Sequence, residues 1–195
     1  MHKWILVSLF VWLAGCTQPE TGAPERPVPD PSLTEIPQKV PLPPLSQEAR
    51  ETQIEILSIT TRDSLRRFAQ LAQTHEGFAS NFEGGDHFNH WSLLRRTGVD
   101  PMREIENLFE GAYGLRDIGS EVWYIWPDFA AMTPEELIPE RLSFQDRARL
   151  LGLIGEEGVA LIREGHAYPG LRTAISREGR WIYYLHDIGE SETPE

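Results

Sequence analysis

The chain has 195 residues, 18 basic against 30 acidic side chains, a formal charge of −12 and one cysteine. Removing residues 1–15, which hold Lys3 and no acid, lowers the charge to −13. That balance excludes nucleic acid and an electrostatic grip on anionic lipid, because both need basic patches. With no cysteine past Cys16, it also excludes disulfides from the folded part.

His2 and Lys3 precede an apolar run, Trp4 to Ala14, in which Ser8 is the only polar residue. The run is too short for a membrane span, which needs ~20 apolar residues, and has the length of a signal-peptide core. It closes on Leu13-Ala14-Gly15-Cys16, which resembles the bacterial lipobox at all four positions. The resemblance implies a thioether-linked diacylglyceryl group on Cys16, cleavage after Gly15 and acylation of the new amine. Thr17 implies sorting to the outer membrane, with the chain facing the periplasm. An ordinary secretory signal is the alternative, but a lone cysteine at this place is accounted for by acyl chains, each buried CH2 adding about 0.8 kcal/mol of anchoring.

Residues 16–46 read as a linker. Nine prolines fall between residues 17 and 46, with scattered apolar residues that cannot bury enough surface to fold. Such a stalk extends at about 3 Å per residue, up to roughly 90 Å.

Residues 47–189 read as one globular domain and 190–195 as a flexible tail. Ser46 can cap a first helix with Ile54, Leu57 and Ile59 on its apolar stripe. Leu65, Phe68, Ala69 and Ala72 mark a second helix by helical spacing. Residues 78–82 suit a short strand or extended loop, broken at Gly84-Gly85. Asp86 can cap a third helix through Trp91, ending at Gly98. Asp100-Pro101 restarts the chain as a fourth, with Ile105, Leu108 and Phe109 buried. Glu121 to Trp126 is the strongest strand. Thr133-Pro134-Glu135-Glu136 starts a short helix. Ser143 starts a longer one that Gly158 divides. Leu171–Ser176 and Arg180–Leu185 flank Arg177-Glu178-Gly179 as a hairpin. Strict alternation puts Trp181, Tyr183 and Leu185 on one face of its second strand, with Ile182 and Tyr184 on the other. The expected class is α+β: a single domain of several helices with a small antiparallel sheet ending in a C-terminal β-hairpin.

Ser80-Asn81-Phe82, the Gly84-to-Trp91 segment, Trp123 to Pro127, Pro139 to Arg149, and Tyr168-Pro169-Gly170-x-Arg172 leading to Gly179-x-Trp181 carry a further likeness. Over residues 78–185 the domain resembles a group of proteobacterial envelope lipoproteins with which no activity, cofactor or catalytic residue is associated. The helical pair and terminal hairpin are also similar, more loosely, to cone-shaped α+β folds of the nuclear-transport-factor type, and fold would not set function.

His75, Asp86, His87 and His90 form the one constellation with chemical promise, as imidazole and carboxylate ligands or as a base with its orienting group. Their spacing is no zinc signature, so no metal is assigned. Each also has a structural reading: Asp86 as a cap, His87 bonded to a loop carbonyl, His90 on a solvated face. The aromatic candidates for binding are Trp91, Trp123, Trp126 and Trp181, which can line a groove or fill the core of a sheet. Gly84-Gly85 lacks the features of a phosphate loop, and Ser80 and Ser92 sit in no nucleophile elbow.

Two function classes follow, and no cofactor is assigned. The favoured one is a lipid-anchored, non-catalytic module binding an envelope protein, a wall component or a small ligand. The other is a periplasmic hydrolase or metal-dependent enzyme built on the histidine cluster. Convergence of His75 and Asp86 with His87 or His90 around an open cleft separates them.

Overall fold

The computed structural model describes residues 42–81 and 86–186. The signal segment, Cys16 and its lipobox, the stalk up to residue 41, Gly84-Gly85 and the 190–195 tail lie outside those residues. The helices are α1 (Gln47–Thr61), α2 (Leu65–Thr74), α3 (His87–Arg96), α4 (Pro101–Glu110), α5 (Pro134–Leu137) and α6 (Phe144–Arg163). The strands are β1 (Ala79–Ser80), β2 (Gly114–Ile118), β3 (Glu121–Trp126), β4 (Leu171–Ser176) and β5 (Trp181–His186).

Most helix starts follow from local chemistry. Ser46, Asp86, Asp100 and Ser143 each accept a backbone N–H of the following first turn. Thr133 and Glu136 form a complete capping box ahead of α5. Asp63 lies just ahead of α2. It takes a left-handed conformation (φ 51°), and Ser64 occupies the cap position.

The five strands form one sheet in the order β1-β5-β4-β3-β2. The domain is therefore α+β, and β4 and β5 form the expected C-terminal hairpin. The sheet is mixed rather than antiparallel throughout, because β1 pairs in parallel with β5. It is also wider than the expected set, since β2 pairs antiparallel with β3 at the edge. Arg116 and Asp117 give β2 the polar character of an edge strand and hide it from a search for apolar runs.

Helices α1 to α4 cover one sheet face. There Phe68, Trp91 and Ile105 meet Tyr124, Trp126 and Trp181 in one buried cluster. On the other face Ile125, Ala174 and Ile182 are buried. A satellite core of Phe129, Leu137, Leu150, Ile162 and Tyr168 gathers α5 and α6. Burying each large side chain contributes about 1.5–3 kcal/mol, so the aromatic cluster under α2 and α3 is a principal source of stability.

Three local expectations are corrected. The buried stripe of α1 is Ala49, Thr52, Ile56 and Thr60; Leu57 and Ile59 pack against the core part-buried as expected, while Ile54 is 58% exposed. Threonine can line this interface because its hydroxyl is satisfied: Thr52 Oγ1 donates to the Gly179 carbonyl at 2.6 Å and Thr60 Oγ1 to that of Leu57 at 3.0 Å. In β5, Tyr183 faces Ala174 and Trp181 faces Ile175, leaving Ile182 as the unpaired residue of a β-bulge. The bulge shifts the alternation, so Trp181 joins Tyr184 in the helix-side core, with Ile182 and Tyr183 together on the other face. The domain also starts before Gln47. Tyr113 Oη donates to the Pro43 carbonyl at 2.8 Å, and the Ser46 N–H donates to Tyr124 Oη at 3.0 Å.

The break in α6 falls at Gly155 (φ 67°, ψ −177°), three residues before the expected Gly158. Essentially only glycine adopts that backbone conformation. Gly158 instead lies buried against Ile154, whose Cβ would sit 2.6 Å from any added methyl group.

Candidate functional site

Three of the four residues of the histidine constellation belong to α3, Asp86 as its cap and His87 and His90 within it, while His75 lies at the end of α2. His75 closes α2, and its Nδ1 accepts the Trp181 N–H at 3.2 Å. Its proton is then on Nε2, which is buried without a hydrogen-bond partner among the described residues. His87 opens α3 and is buried. Its Nδ1 lies 3.0 Å from Ser80 Oγ, so its partner is a β1 hydroxyl and not the expected loop carbonyl. The ring stacks on Trp91 with centroids 5.4 Å apart. Asp86 caps α3 through the Asn89 N–H at 3.1 Å and also accepts from the Asn89 side-chain amide.

Phe78 packs on both Trp181 and His87, with centroids 4.7 and 5.2 Å away, so aromatic rings fill the space between His75 and His87. His90 is half-buried rather than on a solvated face, and lines a crevice of about 140 Å³ with Glu104, Leu171 and Tyr184. Among the described residues no three His, Cys, Asp or Glu side chains are placed to hold a metal ion.

Burial lowers the pKa of all three histidines. At His75 the Glu55 carboxylate opposes this shift and the Arg180 cation adds to it. At His87 nearby His90 adds to it and Asp86 opposes it. Neutral imidazoles suit these sites, because the Trp181 N–H needs a lone pair on His75 and the His87 ring lies in an aromatic sandwich.

Three of the four tryptophans proposed for binding belong to the core: Trp91, Trp126 and Trp181 are 2%, 1% and 0% exposed. Trp181 donates its indole N–H to Thr173 Oγ1 at 2.9 Å. Trp123 is half-buried, donates to Glu121 Oε2 at 3.0 Å and meets Tyr183 edge-on. Glu121 in turn receives Arg180 at 2.6 Å. These partners hold Trp123 in the side-chain layer on the sheet's outer face.

A concave surface does occur, at a place the residue motifs did not mark. Between the second half of α6 and the 169–171 turn lies an open groove of about 500 Å³. Leu153, Ile154, Ala160, Leu161, Pro169 and Leu171 supply its apolar surface. Glu157 and Glu164 are its only ionisable lining groups.

Backbone geometry shapes this groove. The kink at Gly155 redirects α6, and Ile154 folds back over Gly158. An added Cβ at Gly170 would lie 2.6 Å from Tyr168 Oη and 2.7 Å from Ile154 Cγ2, so glycine is required for the turn to close on the helix. Arg172 secures that turn by donating to the Tyr168 and Gly170 carbonyls, each at 3.2 Å. A signal for this site was present in Gly152, Gly155 and Gly158, a three-residue glycine spacing inside an apolar helix, followed by Pro169-Gly170.

The chain matches no protein-family model, and no curated protein or solved structure is significantly similar to it.

Proposed function

We propose that this protein is a lipid-anchored envelope module, held to the outer membrane through Cys16, with a non-catalytic domain that binds its ligand in the α6 groove. The observation that carries the reading is the open, largely apolar groove beside α6, which none of His75, Asp86, His87 and His90 lines. His75, His87 and Asp86 are engaged in packing and capping. Among the described residues that line the groove there is no histidine, serine, threonine, cysteine or tyrosine, and its surface is apolar apart from Glu157 and Glu164. An apolar concavity bounded by a few polar groups is the usual form of a binding site. No helix among the described residues is long and apolar enough to cross a membrane. The tether therefore rests on Leu13-Ala14-Gly15-Cys16.

Two measurements test the two halves of the reading. Cys16→Ser is expected to move the protein from the membrane to the soluble fraction, and unchanged retention would overturn the anchor. Ala160→Trp places an indole in the groove from an exposed position and is expected to abolish ligand binding while leaving the melting temperature unchanged.

A further inference from the structure

The groove's charge and dimensions narrow the class of occupant, and this step rests on the binding reading above. Glu157 on α6 and Glu164 at its C-cap, which keeps helical backbone angles, are seven residues apart and both line the groove. Two helical turns separate them, or about 10 Å along the axis. Glu157 makes no ion pair among the described residues, and Glu164 has only His166 at the 4.0 Å limit. Arg172, beside the groove, is committed to the turn carbonyls. Apolar surface occupies the space between the two carboxylates, and it runs outward onto Leu153, which is 49% exposed.

We infer that the groove takes a cationic amphipathic polypeptide segment, with apolar side chains on its floor and two Lys or Arg groups paired with Glu157 and Glu164. The backbone positions of the two glutamates, about 10 Å apart, suit two separate basic groups better than one small cation. Two basic residues seven apart on a helix share one face and meet that spacing. Anionic lipids and acidic peptides are disfavoured by the two carboxylates and by the chain's formal charge of −12. The apolar floor supplies affinity by burial, and the rim carboxylates supply selection for charge.

The test uses the full chain in phosphatidylcholine nanodiscs and fluorescent helical peptides of about 18 residues, five turns, built from Leu and Lys. Otherwise identical peptides carry Gln or Glu in place of Lys, and anisotropy is read against empty nanodiscs. The Lys peptide is expected to bind roughly tenfold tighter than the Gln peptide, the combined effect of two exposed ion pairs, and the Glu peptide more weakly still. Glu157→Gln with Glu164→Gln should remove the preference for Lys, as should high salt. Ala160→Trp should abolish binding of both the Lys and the Gln peptides. Equal binding of Lys and Gln peptides, lost together in Ala160→Trp, would overturn the charge selection and leave the binding groove standing. Failure of every peptide to bind, or binding indifferent to Ala160→Trp, would overturn both. A concentration-dependent dimer broken by Ala160→Trp would give the groove to a second copy and overturn the inference.

Discussion

Gly179 shows how one residue couples two distant parts of the chain. Its φ of 83° lies in the left-handed region, and an added Cβ would stand 2.9 Å from the Glu48 carbonyl oxygen of α1. Its own carbonyl accepts from Thr52, and the Ser46 hydroxyl donates to the neighbouring Arg177 carbonyl at 2.6 Å. The hairpin turn is thereby seated on the start of α1. Gly179→Ala combines backbone strain with a backbone clash and is expected to cost about 2 kcal/mol, lowering the melting temperature by roughly 6 °C. A shift under one degree would show that the turn can move away from α1 without loss.

Arg149 makes a comparable link in the satellite core. It donates to buried Asp128 at 2.8 Å, to Asp146 at 3.0 Å, and lies over the Phe129 ring. Arg149→Met keeps the stem and leaves Asp128 without its cation. Because the arginine is 42% exposed, solvent screens the loss, and a destabilisation of about 1–2 kcal/mol is expected. Chemical denaturation checks it, and combining the change with Asp128→Asn should recover part of the loss.

Among the elements, α6 is the one whose shape matters most for the binding reading. The break at Gly155 bends it between Leu153 and Leu161, both of which line the groove. Gly155→Ala asks an L side chain to occupy a conformation that costs about 1–3 kcal/mol, so α6 either strains or straightens. The expected outcome is a lower melting temperature together with weaker peptide binding, read by calorimetry and anisotropy on the same variant. Unchanged binding would mean that the kink does not form the site.

Legibility also varied by element. The helices α2 and α4 were readable because one apolar face meets one core, and helical spacing records this directly. On α1 the same rule misled in part, since Thr52 and Thr60 are buried with their hydroxyls paired to carbonyls, one of them 127 residues away. β2 offers almost no apolar signal, although Gly119-Ser120 between it and β3 has the composition of a tight hairpin turn.

At the scale of the whole molecule, the buried histidines tie stability to pH. Each has a folded pKa below the unfolded value near 6.5. As pH falls through about 6.5 the unfolded chain takes up protons first, so stability declines from there until the folded rings also titrate. At His75 protonation further sets an N–H on Nδ1 against the Trp181 N–H. The melting temperature is expected to fall between about pH 7.5 and 5.5, above the range of ordinary carboxylates. His75→Asn can still accept from Trp181 through its side-chain oxygen but does not titrate, and it should flatten that fall. A profile with no slope in this window would show that the histidines are not the linked groups.

By itself the sequence determined the local features: helix caps at Ser46, Asp86, Asp100 and Ser143, the Pro101 start, the β4–β5 hairpin and hence the α+β class. These depend on residues close together in the chain, where spacing and side-chain chemistry suffice. Tertiary structure alone decided that β1 joins β5 in parallel, that a bulge at Ile182 turns Trp181 into the helix-side core, and that aromatic rings come between His75 and His87. It also decided where the concave surface lies. A groove between residues 153–164 and 169–171 exists only because glycines let a bent helix and a turn approach closely. Such contact depends on packing across the fold, and no spacing along one element records it.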